Sequence, residues 1–426
     1  MNPLARQFAQ STSRLIGRRR WIFTVLAGVV IFFIGSWWGR SGQVRRITAY
    51  IKSYTDLFGH DTSQQIALGI EHRQIKRGGI LTNILTLTPG HIRVQPYRAL
   101  DAGLGLESLV SIAKRHNALA AINGGYFEMS GTFRGESVGA LKVSGEWLSE
   151  PEQRRAAIGF ADDGRAIIDR IALKIELLLS AHHAIEVDGI NRGRLENELI
   201  CYRPAFHPVT LTEPDGVEVI VRRHHVVEIR DEQGSSRIPP EGYVLSANGT
   251  KRAWILAHVA VGDTVAIRET VIPERSETQE IWQSTPHILG GGPLLLQDAV
   301  PTVSETQESE GFKREFYSWW HPRTAVGVRS DGTLLFVTIT AAVPKVRRGV
   351  TLSRLAALMR TWGAVDALNL DGGESTMMVI GGEIVTTRLS TKTGEKTAQG
   401  NQRIRPSPVS VGRPVADALL VYPNGK

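Results

Sequence analysis

An uncharged run of eighteen residues, Trp21–Trp38, reading WIFTVLAGVVIFFIGSWW, constrains this chain more than any other feature. As a helix it spans roughly 27 Å, enough to cross a hydrocarbon core with little tilt. Trp21 at one end and Trp37–Trp38 at the other suit the two interfaces, where indole rings sit well. A buried soluble helix fits poorly, because Arg18-Arg19-Arg20 abuts the run. A cleaved secretory signal is the competing account. Its apolar core is usually about 7–15 residues, shorter than this run, and no small-x-small cleavage site follows. The expectation is one membrane-spanning signal-anchor. Arg6, Arg14, Arg18, Arg19 and Arg20 precede it, and Arg40, Arg45, Arg46 and Lys52 follow. The arginines nearest the helix favour a cytoplasmic N-terminus, with the C-terminal bulk periplasmic or extracellular.

The anchor also explains the charge. The chain carries +8 overall, and residues 1–52 hold nine basic and no acidic side chains, so the remainder is 8 − 9 = −1. Basic character therefore belongs to the membrane-proximal segment and its anionic lipids. Nucleic-acid binding loses its compositional support. Cys201 is the single cysteine, so no intramolecular disulfide forms, and the core must supply the stability.

The expected organisation is a cytoplasmic tail (1–20), an anchor (21–38), a juxtamembrane linker or helix (39–62) and one large domain (63–426). The domain reads as α+β, a mixed sheet with two main helices. Ile80–Pro96 is a strand, a Pro89-Gly90 turn and another strand. Ala156–Phe160, Ala166–Leu173, Leu199–Tyr202, Val217–Val221, His225–Ile229, Tyr243–Ala247, Ile288–Gln297, Leu334–Ile339 and Val415–Tyr422 are further strands. Helical spacing marks Leu104–His116 and Val350–Trp362. Residues 390–412, rich in Thr, Lys, Gln and Pro, read as an exposed loop. Leu106–Asn123 and Leu352–Asn369 align without a gap. Each gives a helix, a short apolar strand, an Asn and then a Gly-Gly pair. Either this is the ordinary rhythm of helix–strand units, or the fold is pseudo-symmetric and its two Gly-Gly loops meet.

Four segments carry the candidate chemistry. In Ala121-Ile122-Asn123-Gly124-Gly125-Tyr126-Phe127, a buried strand runs into two glycines that let a ligand approach the backbone. Asn123 can donate and accept, and Tyr126 and Phe127 offer a stacking wall; the plainer account is a tight turn with aromatics in the core. His287–Leu296 holds Gly290, Gly291, Gly292 and Pro293 between apolar runs, which marks a sharp bend or exposed backbone. His321–Gly327 places Arg323, a planar fork suited to phosphate or carboxylate, at the start of a strand beside Thr324. Ala367–Thr376 ends an apolar strand at Asn369 and Asp371, followed by Gly372, Gly373, Glu374, Ser375 and Thr376. Such a strand end is a usual address for a working carboxylate, although Asp-Gly alone also reads as a hairpin turn.

Together these segments resemble the phosphodiester glycosidase family, typified by the lysosomal enzyme that removes N-acetylglucosamine to expose mannose 6-phosphate. RTAVGVRSDGTLLFV, RRGVTLSRLAALM and ALNLDGGESTM follow in the family's order and spacing. AINGGYF agrees at the N-terminal end, GGGPLLL resembles bacterial members, and Arg413-Pro414-Val415-Ala416-Asp417-Ala418-Leu419 also looks familial. The resemblance covers roughly residues 75–424, with 160–280 poorly matched. Glu374 stands where many relatives have Gly or Ser, and Thr340-Ala341-Ala342 where they often carry Asp-Gly. The resemblance implies hydrolysis of a sugar-1-phosphodiester at the anomeric carbon. The phosphomonoester leaving group is weakly basic, so strong general-acid help is less needed than for an ordinary glycoside. Phosphate neutralisation and a water-activating base are what remain.

On that implication Arg323 holds the phosphate. Asp371 acts as base or positions a sugar hydroxyl. Asn123, with the N–H groups of Gly124–Gly125 and Gly372–Gly373, holds the sugar. Tyr126, Phe127, Gly291, Gly292, Thr324, Asn369, Glu374 and Ser375 line the substrate. Glu128 and Glu374 are candidates for a second carboxylate. His287 and His321 are an acid or base, or structural. No metal-ligand spacing appears in the sequence, and His182-His183 and His224-His225 are adjacent pairs whose side chains would point to opposite faces of a strand. No cofactor is expected, and a cation at Asp371 stays open. The expected partners are a glycan or sugar-phosphate and, through 21–38, the membrane. Two other functions compete: a membrane-tethered polysaccharide-binding module, and an enzyme cutting another phosphodiester such as a teichoic-acid-like polymer.

Overall fold

The computed structural model describes residues 60–152, 154–179, 183–303, 310–342, 349–386 and 413–424. The expected anchor, most of the linker and the 390–412 loop lie outside them. Among the described residues, no helix is long and apolar enough to cross a membrane.

Sheets dominate. The widest has eight antiparallel strands, in the order His60–Ala67, Ile70–Arg77, Ile80–Leu87, Leu334–Ala341, Arg323–Arg329, Ala364–Asn369, Leu294–Gln297 and Val300–Pro301. The first strand thus starts three residues inside the expected linker. Leu334–Ala341 is buried at every position. Its side chains alternate between two cores, as the pleat requires. Leu334 and Phe336 join one core, and Leu335, Val337 and Ile339 join the other, under the Leu352–Thr361 helix.

The first core fills the space between this sheet and two others. One is the sheet Glu383–Ile384, Met378–Ile380, Ala120–Asn123, Asp417–Pro423, Ile92–Arg98, whose outer face packs on the Leu109–Arg115 helix. The other contains Ala156–Phe160 and His287–Gly290. Ile80–Leu87 and Ile92–Arg98, joined by the expected turn, therefore enter different sheets. A long ribbon of Ala166–Leu179 against Val265–Pro273 leads to a five-stranded sheet formed within residues 189–231 and 242–247.

Two expectations need correction. Ile288–Gln297 is not one strand. The chain leaves one sheet at Gly290 and joins the widest sheet at Leu294. Gly292 sits at φ +125°, and a Cβ on Gly291 would lie 2.5 Å from the Asn369 carbonyl oxygen. The helices are also more than two. Gly249–His258 is as long as Leu352–Thr361, and Gln279–Ser284 and Arg314–Ser318 are shorter ones.

The two aligned helix–strand units correspond closely. The helices end at Arg115 and Thr361. The second residue after each end, Asn117 and Gly363, has positive φ, which closes the helix. Both strands end on a fully buried Asn, Asn123 and Asn369.

Candidate active site

The two Gly-Gly loops meet. Asp371 N donates to the Gly124 carbonyl at 3.2 Å, and Asn123 Nδ2 to the Asp371 carbonyl at 2.8 Å. Asn123 Oδ1 accepts from Thr324 Oγ1 at 2.7 Å and from Met377 N at 3.1 Å. One buried amide therefore ties three strand ends together, and its hydrogen-bonding capacity is used inside the protein. Asn123 positions the site rather than holding a sugar.

The glycine N–H groups are likewise engaged. Gly124 N donates to Asp417 O, Gly125 N to Asp417 Oδ1 at 2.7 Å, Gly372 N to Asp371 Oδ1 at 2.9 Å and Gly373 N to Pro322 O at 2.9 Å. The expected backbone cradle for a sugar is corrected accordingly. The glycines are needed for close packing: a Cβ on Gly124 would sit 2.0 Å from Asp417 Oδ1, and one on Gly372 would sit 2.8 Å from Pro322 O. Asp417, which also accepts from Ser137 Oγ at 2.9 Å, buttresses the first loop. Burial pushes its carboxyl above the ordinary range, against the Gly125 N–H, Ser137 and Arg98.

Asp371 and Arg323 share one face of the widest sheet. Ala325 stands opposite Asn369, and continuing two residues in opposite directions brings Arg323 level with Asp371. The strands stay joined there, through Leu370 N to Thr324 O and Gly373 N to Pro322 O, both 2.9 Å. Burial foremost pushes the half-buried Asp371 carboxyl up to about 6, while Ser375, Arg413 and the Gly372 N–H pull it down. The Ser375 hydroxyl is near enough to act on that charge, yet makes no hydrogen bond of normal geometry.

Arg323 is 1% exposed and forms no ion pair among the described residues. Its Nε donates to Val350 O at 3.2 Å, and its Nη2 to Phe316 O and Trp319 O, both at 3.0 Å. Burial brings the guanidinium down to about 10. The Tyr126 hydroxyl feels both Asp371 and Arg323, although burial is the main reason its proton is harder to remove. That hydroxyl donates to Gly292 O at 2.8 Å and lies 2.9 Å from Asn369 Nδ2.

Three buried polar atoms, Asn369 Oδ1, Ser375 Oγ and Thr376 Oγ1, have no hydrogen-bond partner among the described residues. Each such group costs about 1–3 kcal/mol when left unsatisfied. All three lie within Asn369–Thr376, the segment that carries Asp371.

Residues 215–422 match the family model described as phosphodiester glycosidase. This segment belongs to the phosphodiester glycosidase family. The family hydrolyses glycosyl phosphodiester bonds, and the segment contains Arg323, Asn369, Asp371 and Arg413. An uncharacterized protein of Rickettsia conorii is 24% identical over 252 residues, covering 58% of this chain and 84% of its own. A hypothetical protein from Synechocystis, solved by crystallography, is similar at TM-score 0.70 and 26% identity, over 86% of this chain and 64% of its own. This chain thus spans under two thirds of that structure's length. A Burkholderia pseudomallei K96243 protein described as exported is similar at TM-score 0.64 and 25% identity, over 83% of this chain and 74% of its own.

The remaining expected residues separate into near and far. Thr324 is buried against Asn123. Phe127 is 8% exposed and joins the core with Leu109 and Leu420, as the plainer account had it. Gly291 and Gly292 contact the Asn369 carbonyl, Gly292 through its N–H at 2.7 Å. Glu374 is exposed on a short turn beside Asp371. Glu128 is exposed, and its Oε1 accepts from Met129 N and Ser130 N, closing its own loop. His287 lies at the far end of its strand. There its Nδ1 accepts from Ser144 N at 3.2 Å, and burial lowers its basicity. His321 pairs with Val350 just before Arg323.

Two residues of the family-like closing motif were not singled out by sequence reasoning. Arg413 lies over the Phe127 ring at 5.1 Å and acts on the Asp371 charge, and Asp417 shapes the first glycine loop. Cavities of about 540 and 490 Å³ elsewhere, around Arg194 and Tyr202 and around Phe206 and Arg237, share no residue with this site.

Proposed function

We propose that this chain is a membrane-anchored, extracytoplasmic phosphodiester glycosidase that hydrolyses a sugar-1-phosphodiester in an envelope or exported glycan. One observation carries the reading. Asp371 and Arg323 stand level at adjacent strand ends without pairing with each other, and both act on the buried Tyr126 hydroxyl. With its carboxyl near 6, Asp371 is mostly ionised at neutral pH and still basic enough to take a proton from water. The water oxygen bonds to the anomeric carbon as the bond from that carbon to the phosphate oxygen breaks, and the phosphomonoester departs with the bonding pair. Arg323 and Arg413 supply positive charge for the phosphate, and Ser375, Thr376 and Asn369 supply polar groups for the sugar. The Trp21–Trp38 run with its basic flank supports the anchor and the orientation.

The test is sugar release from a panel of sugar-1-phosphodiesters by the full chain in detergent, with Asp371→Asn and Arg323→Ala as controls. Activity lost in both variants is expected. Undiminished activity in both would remove the site assignment. A wild-type protein inactive across the panel but retaining polymer binding would be a polysaccharide-binding module. Protease accessibility of the C-terminal domain in spheroplasts, and its protection in intact inside-out vesicles, tests the topology.

A further inference from the structure

Trp319 and Trp320 are 53% and 47% exposed at the edge of the site. The other described tryptophans are fully buried (Trp147, Trp282) or partly so (Trp254, Trp362). Exposing about half of each of two adjacent indoles forgoes burial of the largest apolar side chains available. Their backbone is tightly held. Trp319 N donates to Glu315 O at 3.1 Å, and Trp319 O accepts from Arg323 Nη2 at 3.0 Å. Two residues beyond the pair, Pro322 O accepts from Gly373 N in the Asp371 loop. Three residues reach about 10 Å at most, so the pair stands within the length of a short oligosaccharide from that loop.

An aromatic cluster lies beside the site, and Trp319 meets the His321 ring at 5.4 Å. Phe312 and Phe316 stack at 5.0 Å, and the Tyr126 ring lies 5.4 Å from the first and 6.4 Å from the second. Arg155 and Arg323 cap the two ends of this stack, 4.4 and 4.9 Å from the ring centres. The rings are therefore fixed by cation–π contacts rather than loose. Trp319 follows three residues after Phe316.

We propose that Trp319, with Trp320 beside it, is a stacking platform for sugar units beyond the scissile phosphodiester, making the protein selective for oligo- or polysaccharide chains over single sugar phosphodiesters. The proposal rests on the glycosidase reading above. The flat indole faces suit the C–H faces of pyranose rings, and the hydrogen bonds to Arg323 and the Asp371 loop favour a glycan over a lipid surface as occupant.

The test compares an oligosaccharide-1-phosphodiester with its monosaccharide counterpart, using full-length wild type, Trp319→Ala, Trp320→Ala and Trp319→Phe. Loss of one stacking face should raise KM for the oligosaccharide about five- to tenfold, with a much smaller rise for the monosaccharide and little change in kcat; Trp319→Phe should recover most of it. Equal changes on both substrates would overturn the proposal. So would a blue shift of tryptophan emission with phosphatidylglycerol vesicles, abolished in Trp319→Ala while the oligosaccharide KM stays put; that would assign the pair to lipid. If the wild type cleaves neither substrate, the glycosidase reading fails, and quenching of tryptophan emission by the oligosaccharide, lost in Trp319→Ala, still decides the platform.

Discussion

Asp371→Asn is expected to stabilise the protein while disabling it. In the folded state the carboxyl titrates at about 6, against 3.8 in an unfolded chain. That gap of about two units corresponds to about 3 kcal/mol, since each unit is worth ~1.4 kcal/mol. Solvent reaching a half-buried carboxyl screens this to about 1–2 kcal/mol. The sign follows from which state ionises first. Below about pH 4 both states are protonated and the site costs nothing. Between 4 and 6 the unfolded chain ionises while the folded one resists, so the penalty grows; above 6 it is fully present. Asparagine keeps the size and the acceptor for the Gly372 N–H but carries no charge. The variant should therefore match wild type in urea unfolding at pH 4 and exceed it by about 1–2 kcal/mol at pH 7.5, with an unchanged denaturant slope. Loss of a general base should lower kcat about 10²–10⁴-fold. A variant less stable than wild type at pH 7.5, or equally displaced at both pH values, would refute the claim that burial strains this carboxylate.

Gly124→Ala places a methyl 2.0 Å from Asp417 Oδ1, so the carboxylate must release the Gly125 N–H and Ser137. A loss of about 2–4 kcal/mol in chemical denaturation, together with loss of activity, is expected. Arg413→Gln removes a cation that holds the Asp371 carboxyl down, so the acid limb of kcat/KM should move to higher pH; a limb that stays or falls would exclude Arg413 from the site. Burial foremost, then Glu150, pushes Glu136 up to about 8. Its ionisation is therefore penalised in the fold: stability should decline as pH rises from 4.5 to about 8 and level off above, and Glu136→Gln should flatten that decline in unfolding measured at about pH 5 and 8.

Local periodicity made much of the scaffold legible. Ala156–Phe160 and Leu199–Tyr202 form strands over the expected residues, and Leu352–Thr361 lies within the expected helix, because each pattern reports a face that is buried. The Gly249–His258 helix escaped because it opens on a glycine at positive φ and buries only Ile255. The sharp bend at Gly290–Pro293 was legible from its glycines, but the change of sheet there was not, because it depends on where Asn369 comes to rest. The meeting of the two glycine loops was visible as a possibility, since both units end in Asn before glycine. What those loops do with their N–H groups was not, because the acceptor for Gly125 is 292 residues away. Arg413 and Asp417 were invisible as site residues for the same reason.

That separation also sets an order of events during synthesis. The Asn123–Gly125 loop emerges early, but the carboxylate that shapes it arrives only with Asp417, on the strand that ends at Pro423. The same strand supplies the neighbour that Ala120–Asn123 needs in its sheet. A nascent chain therefore carries the site's residues without the site, and a chain truncated shortly before Asp417 never acquires it. Competence is conferred by the Asp417–Pro423 strand, long after the loop it completes has been made.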